Sequence, residues 1–150
     1  MIKTLYLAGP DVFRPEAEAR GTALKAMCAQ YGFEGLFPLD QSVPEAITEP
    51  AAQAEWIYAA NIALIRRADA VLANLDFFRG AEPDSGTCFE VGYAVALGKP
   101  VYGYNRDNWP DMIQWLVTSI TRREQAVREP LKGIRPQIRL RNSTPELGDI

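Results

Sequence analysis

Histidine is absent from the 150-residue chain, which removes the commonest general base and the commonest metal ligand among the side chains. Serine–histidine and cysteine–histidine nucleophile pairs are excluded with it. Cysteine is scarce, since Cys28 and Cys88 are the only two, and they lie too far apart for a metal-ligand motif or a disulfide framework. Acid–base or nucleophilic chemistry must therefore come from carboxylates, tyrosines, lysines or Cys88, and we expect no bound metal.

Several familiar signals are also missing. No G-x-G-x-x-G follows the first strand and no P-loop occurs, so we expect no cofactor. The net charge is −3, from 16 basic and 19 acidic residues, which does not indicate a nucleic-acid binder. No apolar run reaches the length of a membrane span, and the N-terminus leads into a strand without a signal peptide. We therefore expect a cytoplasmic protein that binds neither nucleic acid nor membrane.

Short apolar runs alternate along the chain with segments of helical periodicity. The apolar runs predict strands at 4–8, 33–39, 70–75 and 100–104. The periodic segments predict helices at 15–31, 51–67 and 87–98, and a further helix that starts near Trp109. Because strand and helix alternate four times, we predict an α/β fold, a three-layer Rossmann-like (flavodoxin-like) parallel sheet with helices on both faces.

Two details of this pattern can be compared with a structure. The second helix is expected to bury one stripe, which consists of Trp56, Ala59, Ala60, Ala63 and Leu64. The segment 41–50 contains two prolines and no periodicity, so it is predicted to be a loop. Long loops beside a site often act as lids.

The C-terminal part differs in composition from the rest. Residues 122–141 carry seven basic side chains against two acidic ones, interrupted by two prolines and a glycine. We therefore divide the chain into an α/β domain at 1–121 and an atypical basic segment at 122–150. We interpret the segment as a partly ordered tail or an arm that packs on a partner subunit, with a phosphate-binding patch as the weaker alternative.

The functional hypothesis depends on the segment 76–99, where a strand feeds a polar loop that opens a helix. Such loops carry the binding sites of α/β proteins, at the carboxyl edge of the sheet. Asp84 lies in the loop, and Glu90 is expected on the first turn of the helix. The alternative is that Thr87 and Glu90 only form a capping box. Gly86 permits a close backbone approach, and Gly92 suggests a packing or access reason inside the helix.

The loops after the first three strands meet at this edge. They bring together acids and aromatics, namely Tyr6, Asp11, Phe13, Asp40, Asp76, Phe77, Phe78, Arg79, Asp84 and Glu90. Aromatic rings could sandwich a flat base, while carboxylates could hold sugar hydroxyls and assist cleavage of a glycosidic bond. Packing of Phe77 and Phe78 in a core or interface, and a cap or turn role for Asp40, stay open as alternatives.

Three stretches of this edge are distinctive together: LYLAGP at 5–10 with Phe13, PLD at 38–40, and FRG at 78–80 followed by EPDSGTCFEVGYA at 82–94. In these stretches the chain resembles the nucleoside 2-deoxyribosyltransferase family. The resemblance extends over residues 3–104. Its most specific part is the D-S-G-T-x-x-E-x-G block at 84–92, together with the glycine and lysine at 98–99.

The resemblance implies a retaining exchange of the base on a purine or pyrimidine 2′-deoxyribonucleoside, with free bases as acceptors. It implies that Glu90 is the nucleophile, that Tyr6 orients it, and that Asp84 binds the base and helps to protonate it. The helix dipole would keep Glu90 ionised on a first turn. The further substrate-binding candidates are Gly9, Phe13, Asp40, Asn61, Phe78, Arg79 and Gly86.

Family members usually carry an Asn-Leu-Met segment after the fourth strand that reaches into a neighbouring subunit's site, and here the basic segment stands in its place. The family's sites are built across subunits, and the chain is rich in aromatics, so we expect a dimer-based homo-oligomer. Two other functions stay open. One is hydrolysis of the glycosidic bond of (deoxy)nucleoside 5′-monophosphates, with the phosphate on the basic segment. The other is nucleoside binding without turnover.

Overall fold

The computed structural model describes residues 2–105 of the chain. In this part, one parallel sheet has the strand order β2-β1-β3-β4. Its strands are β1 (Thr4–Ala8), β2 (Glu34–Leu36), β3 (Ala70–Asn74) and β4 (Val101–Tyr104). The chain order reverses between β1 and β3, and ligands of doubly wound sheets bind at such a point, outside the carboxyl ends of the strands.

Helices connect the strands in the predicted alternation. The α-helices are α1 (Ala17–Gln30), α2 (Pro50–Arg67) and α3 (Ser85–Ala96), and short 3-10 helices at Pro10–Phe13 and Pro38–Asp40 follow β1 and β2. Glu49 is the N-cap of α2, and its carboxylate accepts a hydrogen bond from the backbone N–H of Ala52 at 2.9 Å. Pro50 fits the next position, because an N–H there has no partner within the helix.

The two faces of the sheet pack against different helices. Because side chains alternate along a strand, Leu5 and Leu7 of β1 face one side and Tyr6 and Ala8 face the other. The first side packs against α1 and the segment after β2, and its core contains Leu24, Cys28 and Phe37. The second side packs against α2 and α3, and its core contains Leu64, Ile65 and Ala94. The predicted three-layer α/β fold is therefore confirmed.

Gly21 lies in the middle of α1, where a glycine weakens a helix by about 1 kcal/mol relative to alanine. A Cβ atom at this position would lie 2.4 Å from Cδ1 of Phe37. The Phe37 ring is buried against α1 in the core. Gly21 therefore allows the helix to approach the segment that follows β2.

Several predicted boundaries differ from the structure. Helix α1 begins at Ala17 and not at position 15, because Arg14 precedes a proline and is extended, with φ −79° and ψ 149°. Strand β2 ends at Leu36 and not at position 39, because a 3-10 helix starts at Pro38. Helix α3 begins at Ser85, two residues earlier than predicted. The other elements agree with their predicted ranges to within two residues.

The predicted stripe of α2 is correct in part. Ala60 and Leu64 are buried and Trp56 is half-buried, whereas Ala59 and Ala63 are exposed. The buried positions are Ala60, Ile62, Leu64 and Ile65. Leu64 and Ile65 belong to the core that also contains residues of β1 and β3. The alanines suit either environment, so composition did not distinguish the two faces.

Some predictions lie outside the described residues: the helix near Trp109, the division at 121/122, the basic segment 122–150 and the place of an Asn-Leu-Met segment. They remain predictions. No helix within residues 2–105 combines the length and the apolar character that crossing a bilayer requires.

Candidate active site

The centre of the site is the carboxylate of Glu90. The phenol of Tyr6 donates a hydrogen bond to its Oε1 at 2.7 Å, and the side-chain amide of Asn61 donates to the same oxygen at 3.2 Å. The three residues come from β1, α3 and α2. They meet because Tyr6 lies on the face of β1 that packs against both helices. Within residues 2–105, both hydrogen bonds to this carboxylate end on Oε1, and Oε2 accepts none.

Glu90 is not a capping residue. The N-cap of α3 is Asp84, whose Oδ2 accepts hydrogen bonds from the backbone N–H of Thr87 at 2.9 Å and from its hydroxyl at 3.0 Å. Thr87 is therefore the third residue of the helix and Glu90 lies in the second turn, six positions after the cap. The expectation of a first-turn carboxylate is wrong, and so is the capping-box alternative.

The environment of Glu90 stabilises its protonated form. Burial raises the pKa of Glu90 to about 7, and the negative charge of Asp84 acts in the same direction, while the hydrogen bonds from Tyr6 and Asn61 lower the pKa. The helix dipole was expected to keep this carboxylate ionised. That expectation is wrong, because Glu90 lies past the first turn, where the dipole is weak, and burial dominates.

Tyr6 is a permanent hydrogen-bond donor. Its side chain is fully buried, and burial together with the negative charge of Glu90 raises its pKa far above the usual value for tyrosine. A phenol that keeps its proton can donate to the ionised Glu90 carboxylate, and this hydrogen bond to Oε1 orients the carboxylate.

The predicted aromatic and cationic residues form one stack. The rings of Phe13 and Phe78 stack with centroids 5.1 Å apart, and the guanidinium of Arg79 lies 4.7 Å from the Phe78 centroid and 5.7 Å from that of Phe13. A base between two rings requires centroids about 7 Å apart, twice a stacking distance. A sandwich between Phe13 and Phe78 is therefore excluded in this arrangement, and a base must contact an outer face of the stack.

Other candidates have structural roles. Asp40 accepts a hydrogen bond from the backbone N–H of Phe37 at 2.9 Å and forms an ion pair with Lys25, so the cap role agrees with the structure, and substrate binding by Asp40 remains a prediction. A Cβ atom on Gly9 would lie 2.6 Å from Cβ of Asn74, so this glycine permits close contact with Asn74, and its role in substrate binding remains a prediction.

The glycines of α3 do not support a packing explanation. A Cβ atom on Gly86 would meet only Oδ2 of Asp84, at 3.1 Å, and one on Gly92 would have no neighbour within 4 Å. The expected packing reason for Gly92 is therefore wrong, and an access reason is untested. Phe77 is 72% exposed, which excludes core packing for this ring.

Sequence reasoning missed Asn74 and Arg20. Asn74 ends an otherwise apolar strand and is only 2% exposed, and its amide donates to Asp11 at 2.8 Å. Arg20 of α1 contacts the same carboxylate at 3.1 Å. The signal in the sequence was a lone polar residue at the carboxyl end of a buried strand. Within residues 2–105, no group of three or more acidic, cysteine or histidine side chains is placed to hold a metal ion.

A comparison with models of protein families shows to which family the chain belongs. The model of the family described as nucleoside 2-deoxyribosyltransferase matches residues 5–125. The chain belongs to this family. The match includes the Tyr6–Glu90–Asn61 cluster and the aromatic stack.

Individual members of the nucleoside 2-deoxyribosyltransferase family and other relatives give the same answer about the fold. A 2-desoxiribosyltransferase from Leishmania mexicana is 39% identical, has a TM-score of 0.57, and aligns over 69% of this chain and 64% of its own. A 2-deoxyribosyltransferase from Bacillus psychrosaccharolyticus is 22% identical, with a TM-score of 0.57 over 68% of this chain and 72% of its own, and shares the fold.

A curated relative from Schizosaccharomyces pombe, described as uncharacterized, is 36% identical over 119 residues. The alignment covers 75% of this chain and 56% of that protein. The chain therefore spans somewhat more than half of the length of this relative.

Proposed function

We propose that the protein catalyses the retaining exchange of the base on a 2′-deoxyribonucleoside, with Glu90 as the nucleophile. The observation that carries the proposal is the arrangement of the Glu90 carboxylate. Tyr6 and Asn61 both hold Oε1, which leaves Oε2 as the oxygen that can attack. Two donors on one oxygen orient the carboxylate without covering the attacking atom, as a nucleophile requires.

The first half of the reaction forms an ester. The Oε2 lone pair attacks C1′ of the sugar while the C1′–N bond breaks, and its electron pair leaves with the base. The transition state resembles an oxocarbenium ion, which the adjacent anion of Glu90 stabilises. The absence of a 2′-hydroxyl makes this cation easier to form. The departing base takes up a proton from solvent, and we assign the relay of this proton to Asp84.

The assignment of Asp84 follows from its place in the loop before α3. Its negative charge contributes to the raised pKa of Glu90, which supports a shared role for the two carboxylates. Oδ2 is engaged by the backbone N–H and the hydroxyl of Thr87, which fixes the carboxyl group as a helix cap. Oδ1 is then the oxygen directed to a base, to hold a ring nitrogen and to exchange its proton.

The second half of the reaction reverses the first with a different base. A ring nitrogen of the acceptor attacks C1′, the ester bond breaks, and its electrons return to the Glu90 carboxylate. The proton of the acceptor nitrogen passes to Asp84. Two displacements at C1′ restore the original configuration. Tyr6 and Asn61 can donate to the ester carbonyl in the intermediate as they do to Oε1 in the free protein.

The pKa of Glu90 suits this cycle. A pKa of about 7 means that near neutral pH about half of the free protein carries the nucleophilic anion. The same burial that raises the pKa also leaves the anion poorly solvated, and a poorly solvated carboxylate is a stronger nucleophile toward a cationic sugar. Formation of positive charge on the sugar in turn favours the ionised form.

The aromatic stack is assigned to the base. The stacked rings of Phe13 and Phe78, with Arg79 over both, form a flat and partly exposed surface beside the loop that carries Asp84. A purine or pyrimidine can stack on an outer face of this surface, a contact that tolerates any base. We accordingly assign purine or pyrimidine 2′-deoxyribonucleosides and free bases as substrates, as in nucleotide salvage in the cytoplasm.

We also retain the proposal of a homo-oligomer. Tyr58 of α2 and Phe89 of α3 are 56% and 48% exposed, their centroids are 5.8 Å apart, and the ring of Phe89 stacks with Tyr93. Exposed aromatic clusters of this kind commonly form subunit contacts. Light scattering should give at least twice the mass of the chain, and a monomeric mass would contradict the proposal.

The test of function is a chromatographic assay. The protein is mixed with 2′-deoxyinosine and adenine, and with 2′-deoxyinosine 5′-monophosphate in parallel, and the products are compared with those of Glu90→Gln. New 2′-deoxyadenosine that depends on Glu90 supports transfer. Free hypoxanthine without a new nucleoside would mean that the protein hydrolyses the glycosidic bond and does not transfer the sugar. Binding of the donor without any product would leave a nucleoside-binding protein and would contradict the proposed reaction.

A further inference from the structure

The loops after β1 and β3 are in contact at the carboxyl edge of the sheet. The two strands are neighbours, with Ala8 paired to Ala73, so the next residues, Gly9 and Asn74, are opposite each other. Because Gly9 has no side chain, its backbone lies against Asn74, where a Cβ atom would be only 2.6 Å from Cβ of the asparagine. This close approach brings the 3-10 helix that follows Gly9 over the end of β3.

A buried polar pair joins the two loops at this point. The side-chain amide nitrogen of Asn74 donates to Oδ2 of Asp11 at 2.8 Å, and each residue is 2% exposed. Asp11 Oδ1 contacts the Nε atoms of Arg20 at 3.1 Å and of Arg14 at 3.4 Å. Both carboxylate oxygens of Asp11 are thus engaged, so the carboxylate has a fixed orientation and its burial is compensated.

The other end of the Asn74 amide holds the second loop. Its Oδ1 accepts the backbone N–H of Asp76 at 3.0 Å. One amide group therefore fixes the loop after β1 through Asp11 and the loop after β3 through Asp76. Each loop continues to one ring of the aromatic stack, since Phe13 ends the 3-10 helix that contains Asp11, and Phe78 lies two residues after Asp76.

We propose that Asp11 and Asn74 are positioning residues that hold Phe13 and Phe78 in register as the surface on which the base stacks. The inference rests on the proposed function, to which it adds residues that determine base binding. The pair acts on substrate affinity and not on the nucleophile. Glu90 is held separately, by Tyr6 from β1 and by Asn61 from α2.

This separation has a kinetic consequence. Loss of the pair should raise KM for the deoxyribonucleoside roughly tenfold or more and change kcat less than about threefold, as expected for an interaction made equally in the ground and transition states. The pH dependence of kcat/KM should keep its midpoint, because the hydrogen bonds to Glu90 are unchanged. A general loss of folded protein would instead lower the apparent kcat without changing KM.

The pair permits an exchange experiment. In Asp11→Asn, the new amide nitrogen must face either the amide nitrogen of Asn74 or the guanidinium groups of Arg20 and Arg14, so one donor faces another in either orientation. In Asn74→Asp, two carboxylates face each other. The double variant Asp11→Asn/Asn74→Asp restores one donor and one acceptor and the total charge. We expect each single variant to raise KM and the double variant to return KM to within about threefold of wild type.

Leu24→Ala is the matched control. Leu24 is 3% exposed in the core between α1 and the sheet, so its truncation lowers stability without changing the polar pair. KM should be unchanged in this variant at a temperature where it is folded. The proposal is overturned if the single variants lower only kcat or leave KM unchanged. It is also overturned if the KM of the double variant is no lower than that of the single variants.

A second measurement does not depend on turnover. The reporters are the backbone N–H of Asp76, which Asn74 accepts, and that of Phe78, which donates to the carbonyl of Glu82 at 2.9 Å. In both single variants, hydrogen–deuterium exchange at these two groups should be faster than in wild type. In the double variant it should be slower again. If the wild-type protein lacks transferase activity but the variants show this pattern of hydrogen–deuterium exchange, the proposed function is wrong and the link between the two loops is supported. Unchanged exchange in the single variants would overturn the positioning role itself.

Discussion

Tyr6 and Glu90 are 84 positions apart in the chain, and the phenol of the first lies 2.7 Å from Oε1 of the second. This contact joins the central strand of the sheet to the second turn of α3. The Tyr6 side chain is fully buried, and its hydrogen bond is the larger of the two that lower the pKa of Glu90. The relationship therefore determines both which oxygen of Glu90 is held and which one is available for chemistry.

The rate of exchange should depend on the ionisation of Glu90. Since the pKa of Glu90 is raised to about 7, kcat/KM should rise roughly tenfold per pH unit below that value and level off above it. Initial rates from pH 5 to 9, with saturating acceptor base, give this profile. A profile that is already flat from pH 5 upward would mean that Glu90 is ionised throughout, or that it is not the nucleophile.

Replacement of Tyr6 by phenylalanine should affect rate and titration together. Removal of the donated hydrogen bond withdraws one of the two interactions that lower the pKa of Glu90, so the midpoint of the pH profile should move upward. We expect kcat to fall about 10- to 100-fold at neutral pH, because the attacking oxygen also loses its orientation. Tyr31→Phe, at an exposed tyrosine after α1, is the control. A reduced rate with an unmoved midpoint would contradict the electrostatic part of the account.

The burial of Glu90 should lower the stability of the protein at high pH. The pKa of this carboxyl is higher in the folded state, about 7, than its ordinary value of 4.5. The folded protein thus binds the proton more tightly, and stability decreases as the pH rises from 4.5 to 7. Well above pH 7, the free energy of unfolding should be lower by about 3 kcal/mol than it would be with a neutral carboxyl group at this position.

Glu90→Gln tests this linkage, because glutamine keeps an acceptor for Tyr6 and carries no charge. The variant should be more stable than wild type at pH 8 and close to it at pH 4.5, as measured by urea unfolding at both values. Equal stability of the two proteins at pH 8 would mean that the carboxylate is well solvated in the folded state.

Two glycines in helices should respond in opposite ways to alanine. Gly21→Ala should destabilise by roughly 1–3 kcal/mol, because the new methyl group would lie 2.4 Å from the Phe37 ring. Gly92→Ala should stabilise by up to about 1 kcal/mol, because its methyl group meets no atom within 4 Å. Thermal unfolding of both variants checks the contrast. Equal shifts in the same direction would contradict the packing of α1 against Phe37.

The layers of the fold could be predicted from the sequence because the period of the pattern is local. Alternation along β1 and the apolar run of β3 are visible in the sequence itself. The start of α3 was not predictable in this way, because both Asp84 and Thr87 are good N-cap residues. Thr87 follows Asp84 by three positions and Glu90 follows Thr87 by three, and either side chain could take part in a cap. The tertiary contacts of Glu90 with Tyr6 and Asn61 decided between them.

The electrostatics of the site required the structure. The pKa of Glu90 depends on how completely α2, α3 and the sheet enclose it, which no spacing in the sequence specifies. Asn74 illustrates the same limit. A polar residue at the end of a buried strand signals a partner, but Asp11 lies 63 positions away in sequence. Tyr6, Glu90 and Asp84 were placed at the carboxyl edge from the sequence pattern, their roles were predicted from the family resemblance, and the structure then showed the contact between Tyr6 and Glu90.

The central claim is that Glu90 Oε2 forms a covalent ester with the deoxyribosyl group. It is tested most directly by mixing the protein with 2′-deoxyinosine in the absence of an acceptor base, quenching in acid, and measuring the masses of proteolytic peptides. The account predicts that the peptide containing Glu90 gains the mass of one deoxyribosyl group, with fragmentation assigning it to this residue, and that adenine removes the label. The label on another residue, or unlabelled peptides during sustained base exchange, would contradict it.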